Sequence, residues 1–136
     1  MINLYAPYHL HDTIWAISHE LDLDAYDADV WVEYEDLEDM LGASYGDDEA
    51  VVVALSEEID GEMLVYALAH EFVHVKQMLS GDLSIDADIL WRGEDMEDVP
   101  YRERPYEIEA YYLETVLVQR LKMIGTAAIP DIFWRY

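Results

Sequence analysis

Residues 61–80 read GEMLVYALAHEFVHVKQMLS, a stretch without proline whose one glycine stands at its start. Apolar residues fall on nearly every side of its helical wheel, which marks a central helix buried around most of its circumference. Inside it, His70-Glu71-Phe72-Val73-His74 forms an H-E-x-x-H pentad. Positions i and i+4 of a helix lie one above the other on the same face, so two imidazoles at that spacing can grip one metal ion. Glu71, beside that face, can hold a water next to the metal and act as its general base, the arrangement of zinc-assisted hydrolysis. A lone histidine on an apolar helix face is usually an ordinary core or surface residue. Two histidines and a glutamate on a buried stretch are different, because burying them without partners is costly, and a metal supplies those partners.

Outward from this helix, the pattern alternates between short strands and helices. Ile2 to Ala6 reads as a first strand, ended by Pro7, and Asp12 is a plausible N-cap for a helix through Ile14, Ile17 and Leu21. The run from Val30 to Tyr34 is β-branched and aromatic, and Ala50 to Leu55 is a buried aliphatic run; both read as strands. Between them, Asp36 to Leu41 is expected to form one short helix closed by Gly42, with residues 46–49 as a turn. Asp60 can cap the central helix and Gly81 can end it. Residues 82–104 have weak periodicity and read as a long connection with a short helical piece around Ile85 to Trp91; connections of this length tend to carry function. Pro105 suits the first turn of a second long helix, with Ile108, Tyr112, Leu113, Val116, Leu117 and Leu121 as its core set and Gly125 at its end. The apolar tail, with Ile129, Ile132, Phe133 and Trp134, is expected to pack back on the body. The expectation is an α+β fold in one domain over residues 1–136, a small, mostly antiparallel sheet packed on the pentad helix and a second long helix.

The chain has 136 residues, 31 acidic against 7 basic, and a formal net charge of −24. All seven cations lie after Val75. Such a surface argues against direct binding to nucleic acid or anionic lipid, which needs cations. A solvated acidic face is the ordinary reading, with adaptation to high salt or mimicry of nucleic-acid phosphates as the sharper ones. There is no cysteine, so any metal site must use nitrogen and oxygen ligands. The start, MINLYAPY, has neither a basic n-region nor a long apolar run, so a soluble, cytoplasmic protein without a membrane span is expected.

A catalytic zinc takes three protein ligands and a water. No histidine follows His74, which excludes patterns with a third histidine downstream; the remaining ligand is a carboxylate or one of His9, His11 and His19. Those three read as surface or locally hydrogen-bonded residues. The second long helix offers Glu107, Glu109 and Glu114. Gln77 shares the helix face of His74 and is either an ordinary polar residue or part of the site. The run from Asp82 to Asp88 has alternating acids but lacks the glycine and bidentate glutamate of a calcium loop, and reads as solvated.

The pentad followed by Glu107-Ile108-Glu109-Ala110 resembles the gluzincin metallopeptidases, whose third ligand is a glutamate on a later helix, several of them showing Glu-x-x-Ala. The resemblance covers roughly Ala50 to Leu121 and is nearest to the small single-domain type called ImmA/IrrE and to short metallopeptidases of phage genomes. It implies a minimal zincin fold, zinc held by His70, His74 and Glu107, Glu71 as the catalytic base, and a peptide or protein as substrate. It also implies a strand beside the cleft that pairs with extended substrate, for which Val51 to Leu55 is a candidate. The chain departs from the family pattern at Tyr111, where several members have Asp or Asn, so the residue that would orient a ligand from there is unassigned. Tyr101, Tyr106, Tyr111 and Tyr112 are candidate oxyanion donors, and Trp91 is a candidate for lining the cleft. Two other functions compete: a non-catalytic binding protein on the same scaffold, and an acidic mimic that sequesters a DNA-binding protein. Oligomeric state and substrate identity are not encoded in any motif.

Overall fold

The computed structural model describes residues 1–124; Gly125 and the apolar tail lie outside the described residues. The order of elements is β1 (Asn3–Tyr5), α1 (His11–Glu20), β2 (Asp29–Glu35), β3 (Gly42–Gly46), β4 (Ala50–Ser56), α2 (Gly61–Leu79), β5 (Leu83–Ile85), β6 (Ile89–Trp91), β7 (Glu94–Asp95) and α3 (Pro105–Ile124). The class is α+β. One sheet runs β1-β2-β4-β3-β5-β6-β7. β1, β2 and β4 are parallel, and every other pairing is antiparallel.

The strands form where alternation permits one buried face. Val30 and Val32 on β2, and Val51, Val53 and Leu55 on β4, are almost fully buried and face the helices. α2 lies along that face and is buried over fifteen of its residues, as its all-round apolar sequence requires. Leu64, Val65, Leu68, Phe72, Val75 and Met78 join the strand residues in one hydrophobic cluster, together with Leu10, Ile14 and Ile17 of and beside α1 and Leu117, Val118 and Leu121 of α3. No helix among the described residues is long and apolar enough to cross a membrane.

Several local expectations are corrected. Residues 36–41 form no helix; they are a turn, and Gly42 opens β3 instead of closing a helix. The sequence of β3, GASYG, has only one large side chain, so neither its periodicity nor its propensity marks a strand; it forms because its backbone pairs with β4 from Gly42↔Leu55 to Gly46↔Val51. α1 starts at His11 after a 3-10 turn at Tyr8–Leu10, with Asp12 inside its first turn. Asp60 occupies the N-cap position of α2 without a side-chain capping bond. The segment 85–91 is no helix but an antiparallel hairpin, and Arg92 (φ 50°) and Gly93 (φ 85°) make the two-residue turn from β6 to β7. Positive φ at both central residues is the geometry that matches strand twist. The alternating acids from Asp82 to Asp88 belong to this hairpin and its turn. α3 is rotated from the expected face: Leu117 and Leu121 are buried, but Ile108, Tyr112 and Val116 are exposed and Leu113 is only partly covered. The inner stripe is instead Tyr106, Glu107, Ala110, Leu117, Val118 and Leu121.

Gly46 has φ 142°, and a Cβ there would lie 2.2 Å from the Ala50 carbonyl oxygen. Gly46→Ala is therefore expected to destabilise the fold by about 1–3 kcal/mol, read as a lower midpoint in urea unfolding.

Candidate metal centre

α2 and α3 pack side by side, with Ala110 fully buried between them and presenting only a methyl group. This close approach places Glu107, in the first turn of α3, against the pentad face of α2. His70, His74 and Glu107 are all buried, and one ligand atom from each lies within 4.8 Å of the others. The Glu107 Oε1 is 3.0 Å from His70 Nε2 and 2.9 Å from His74 Nε2. The two imidazole rings meet edge to face, with centroids 4.8 Å apart. Among the carboxylates left open by the sequence, Glu107 is the one at this convergence.

The other two glutamates stand one layer back. Glu114 Oε1 accepts a hydrogen bond from His70 Nδ1 at 3.2 Å. Glu109 accepts from Gln77 Nε2 at 2.9 Å, and the Tyr106 carbonyl accepts from the same nitrogen at 3.1 Å. Both those partners are pure acceptors, so the amide of Gln77 is fixed with its NH₂ toward α3 and its oxygen toward His74. His74 Nδ1 must then donate to Gln77 Oε1, at 2.7 Å. With Nδ1 carrying the proton on both rings, each neutral imidazole directs its Nε2 lone pair at the point occupied by Glu107 Oε1. Two lone pairs and a carboxylate oxygen at this separation repel unless a proton or a cation lies among them. The donor set, two imidazole nitrogens and one carboxylate oxygen with hydrogen-bonded outer partners, fits a divalent metal ion. Glu114 takes over the orienting task left unassigned by Tyr111, whose ring instead lies 4.6 Å from that of His70.

In the metal-free protein a proton holds this cluster together. Burial alone would lower the pKa of His70, but hydrogen bonds to Glu107 and Glu114 outweigh it and raise the pKa to about 9. Glu107, which burial would raise, is held down to about 2 by hydrogen bonds from His70 and His74. These are two views of one interaction.

Glu71 lies on the other flank of the pentad. It is 6% exposed, and burial raises its pKa, with the charges of His74 and His70 and the neighbouring Ser44 hydroxyl offsetting part of the rise. Its side chain passes directly under β3: a Cβ on Gly42 would sit 3.0 Å from Glu71 Cγ and 3.1 Å from Oε2. A glycine at this position is what lets the strand cross the carboxylate. β4, the candidate for the strand beside the cleft, is an interior strand between β2 and β3. β3 meets β5 only at Gly46↔Ile85, so Gly42–Tyr45 keep one backbone edge unpaired among the described residues. Sequence reading missed this strand; the glycines at both its ends were the only signal.

A cleft of about 410 Å³ opens onto His70 and Glu71. Tyr101 and Tyr111 form one wall, their hydroxyls 3.3 Å apart. Burial, with Tyr111 and Glu107 as neighbours, raises the pKa of Tyr101, so its hydroxyl stays protonated. Tyr106 is committed elsewhere: its ring packs on His74 and its hydroxyl accepts from Arg104. Tyr112 is exposed on the far face of α3. Trp91 is in the core against Tyr106 and does not line the cleft. His9 and His11 make local bonds, to the Tyr34 hydroxyl and the Ala6 carbonyl, and His19 is exposed on α1. The chain matches no protein-family model, no curated protein and no solved structure.

Two outcomes are expected. Gln77→Leu frees the tautomer of His74 and should weaken metal binding by about 10- to 100-fold, measured by competition with a chromophoric chelator. In chelator, the contribution of His70 to stability is complete below its ordinary value of 6.5 and is lost as pH rises through about 9. That of Glu107 is complete above its ordinary 4.5 and is lost as pH falls through about 2. Urea unfolding of the metal-free protein should therefore show this cluster's stabilisation greatest between about pH 4.5 and 6.5 and declining toward pH 9.

Proposed function

We propose that the chain is a zinc-dependent peptidase. The observation that carries this reading is the junction of a three-donor metal cluster with a buried, unpaired-for-metal carboxylate, Glu71, at the mouth of a cleft bordered by a free strand edge. Zinc suits the donor set, and when bound it would be held by His70, His74 and Glu107. It would supply Lewis acidity, which lowers the pKa of water and polarises a carbonyl.

The chain's own residues do the rest. Glu71 takes a proton from the attacking water and returns it to the departing amine. Its raised pKa brings the carboxylate closer to the working range of a group that must both accept and release a proton near neutrality. Glu114 and Gln77 keep both imidazoles turned toward the cluster, so that no reorganisation is needed during the reaction. The free edge of β3 offers backbone donors and acceptors to an extended peptide, which would run past Glu71. Tyr101, protonated and facing the cleft, is the donor placed to meet negative charge developing on the carbonyl oxygen. Tyr111 supports it through the hydroxyl contact.

The test pairs metal analysis with one substitution. Purified protein should hold one zinc per chain, and Glu71→Gln should keep the zinc while cleavage of a mixed peptide library drops by about 10²–10⁴-fold. Cleavage undiminished in Glu71→Gln, or a purified chain that fails to take up zinc, would remove the proposal.

A further inference from the structure

We infer that the cleft beside Glu71 selects a lysine or arginine side chain, so that the substrates are basic segments of protein; this rests on the peptidase reading above. The cleft is walled by Tyr66 and Ala67 of α2, Tyr101, Tyr111 of α3, and Met40 and Leu41 of the turn before β3. Among the described residues, its carboxylates besides Glu71 are Glu114 within and Asp39 at the exposed rim. Among the described residues no lysine or arginine lines it. Nor does the turn before β3 carry one; the first cation in the chain, Lys76, stands in the last turns of α2, where its ammonium donates to the Leu21 carbonyl. Arg104, close by in sequence to Tyr101, is bonded to the Val99 carbonyl and the Tyr106 hydroxyl.

The deciding group is Glu114. Its side chain is only 15% exposed. One oxygen, Oε1, accepts from His70, and the other holds no hydrogen bond among the described residues. A leucine or phenylalanine side chain filling the cleft would cover that oxygen without giving it a partner, which is unfavourable. An acidic side chain would meet two like charges. A lysine or arginine side chain satisfies both requirements: its methylene stem lies along Met40, Leu41 and Ala67, and its charged head reaches the carboxylates. The tyrosine rings offer π faces to the same cation. The net charge of −24 adds long-range attraction for basic segments and makes capture salt-dependent. Glu114 is thereby a residue with two partners, a positioning contact to His70 and a specificity contact to substrate.

The experiment uses the full chain loaded with zinc and carrying Glu71→Gln, so that bound peptide is not consumed. Alanine-based decapeptides with one arginine, scanned through the sequence, are compared with the same peptides carrying citrulline, the neutral isostere, or leucine. The best arginyl peptide should bind about tenfold tighter than its citrulline twin at low salt. Asp39→Asn should narrow that gap by about threefold. Equal affinity for arginine and citrulline, or tighter binding of leucine, would overturn the inference. The cleavage profile of the unsubstituted protein separates the two claims. Hydrolysis with no preference for basic residues sinks the cleft's selectivity and leaves the peptidase reading standing. Selective binding of arginine without hydrolysis of any peptide supports the cleft's selectivity and sinks the peptidase reading.

Discussion

The structure depends on one constraint: three ionisable side chains, His70, Glu71 and His74, stand on a helix that is otherwise the apolar centre of the molecule. Buried polar groups need partners, and the fold supplies hydrogen-bond partners for both histidines from one side and places β3 over Glu71 on the other. α3 brings Glu107 to both histidines, Glu114 to His70 and, through Gln77, Glu109 to His74. β3 brings a glycine and a serine over Glu71. The close packing of α2 on α3 and the position of β3 are thus two consequences of satisfying the same helix.

The donors are arranged so that protonation state is dictated from outside the cluster. The hydrogen-bond direction starts at the Tyr106 carbonyl and Glu109, both acceptors, passes through the amide of Gln77 and ends by assigning the proton of His74. Glu114 does the same for His70 in a single step. Such outer partners fix ring orientation and tautomer before a metal arrives, which reduces the reorganisation that binding requires. Without a metal the same three groups hold a proton instead, which is why the pKa of His70 is raised and that of Glu107 lowered.

Charge is distributed as unevenly as polarity. All cations occur from Lys76 onward, and ion pairs of Arg120 with Glu20 and of Lys122 with Glu62 tie α3 back to the acidic half of the chain at exposed sites. Exposed pairs of this kind contribute little in salt, so the sheet and its turns remain an acidic surface. The cleft sits between the two halves, walled by aromatic rings from α2, α3 and the turn at Tyr101.

The sequence alone determined the α+β class, the central helix and both of its ends, the strands at residues 30–34 and 50–55, and the start of the second helix. Each rests on local chemistry: apolar periodicity, β-branched runs, Gly81 at positive φ and Pro105 in a first turn. The pentad named three of the site residues because their spacing is fixed by the helix repeat itself. What only the tertiary structure decided were choices between near-equivalent residues. Glu107, Glu109 and Glu114 have the same side chain, and the rotation of α3 about its axis separates a cluster donor from two outer partners. That rotation was not legible because Ile108, Tyr112 and Val116 form an apolar stripe as regular as the buried one, while the true inner stripe contains a glutamate that only its histidine partners make tolerable. β3 was equally hidden: GASYG has no strand propensity, and it becomes a strand because β4 offers a backbone to pair with and Glu71 requires a neighbour without a side chain.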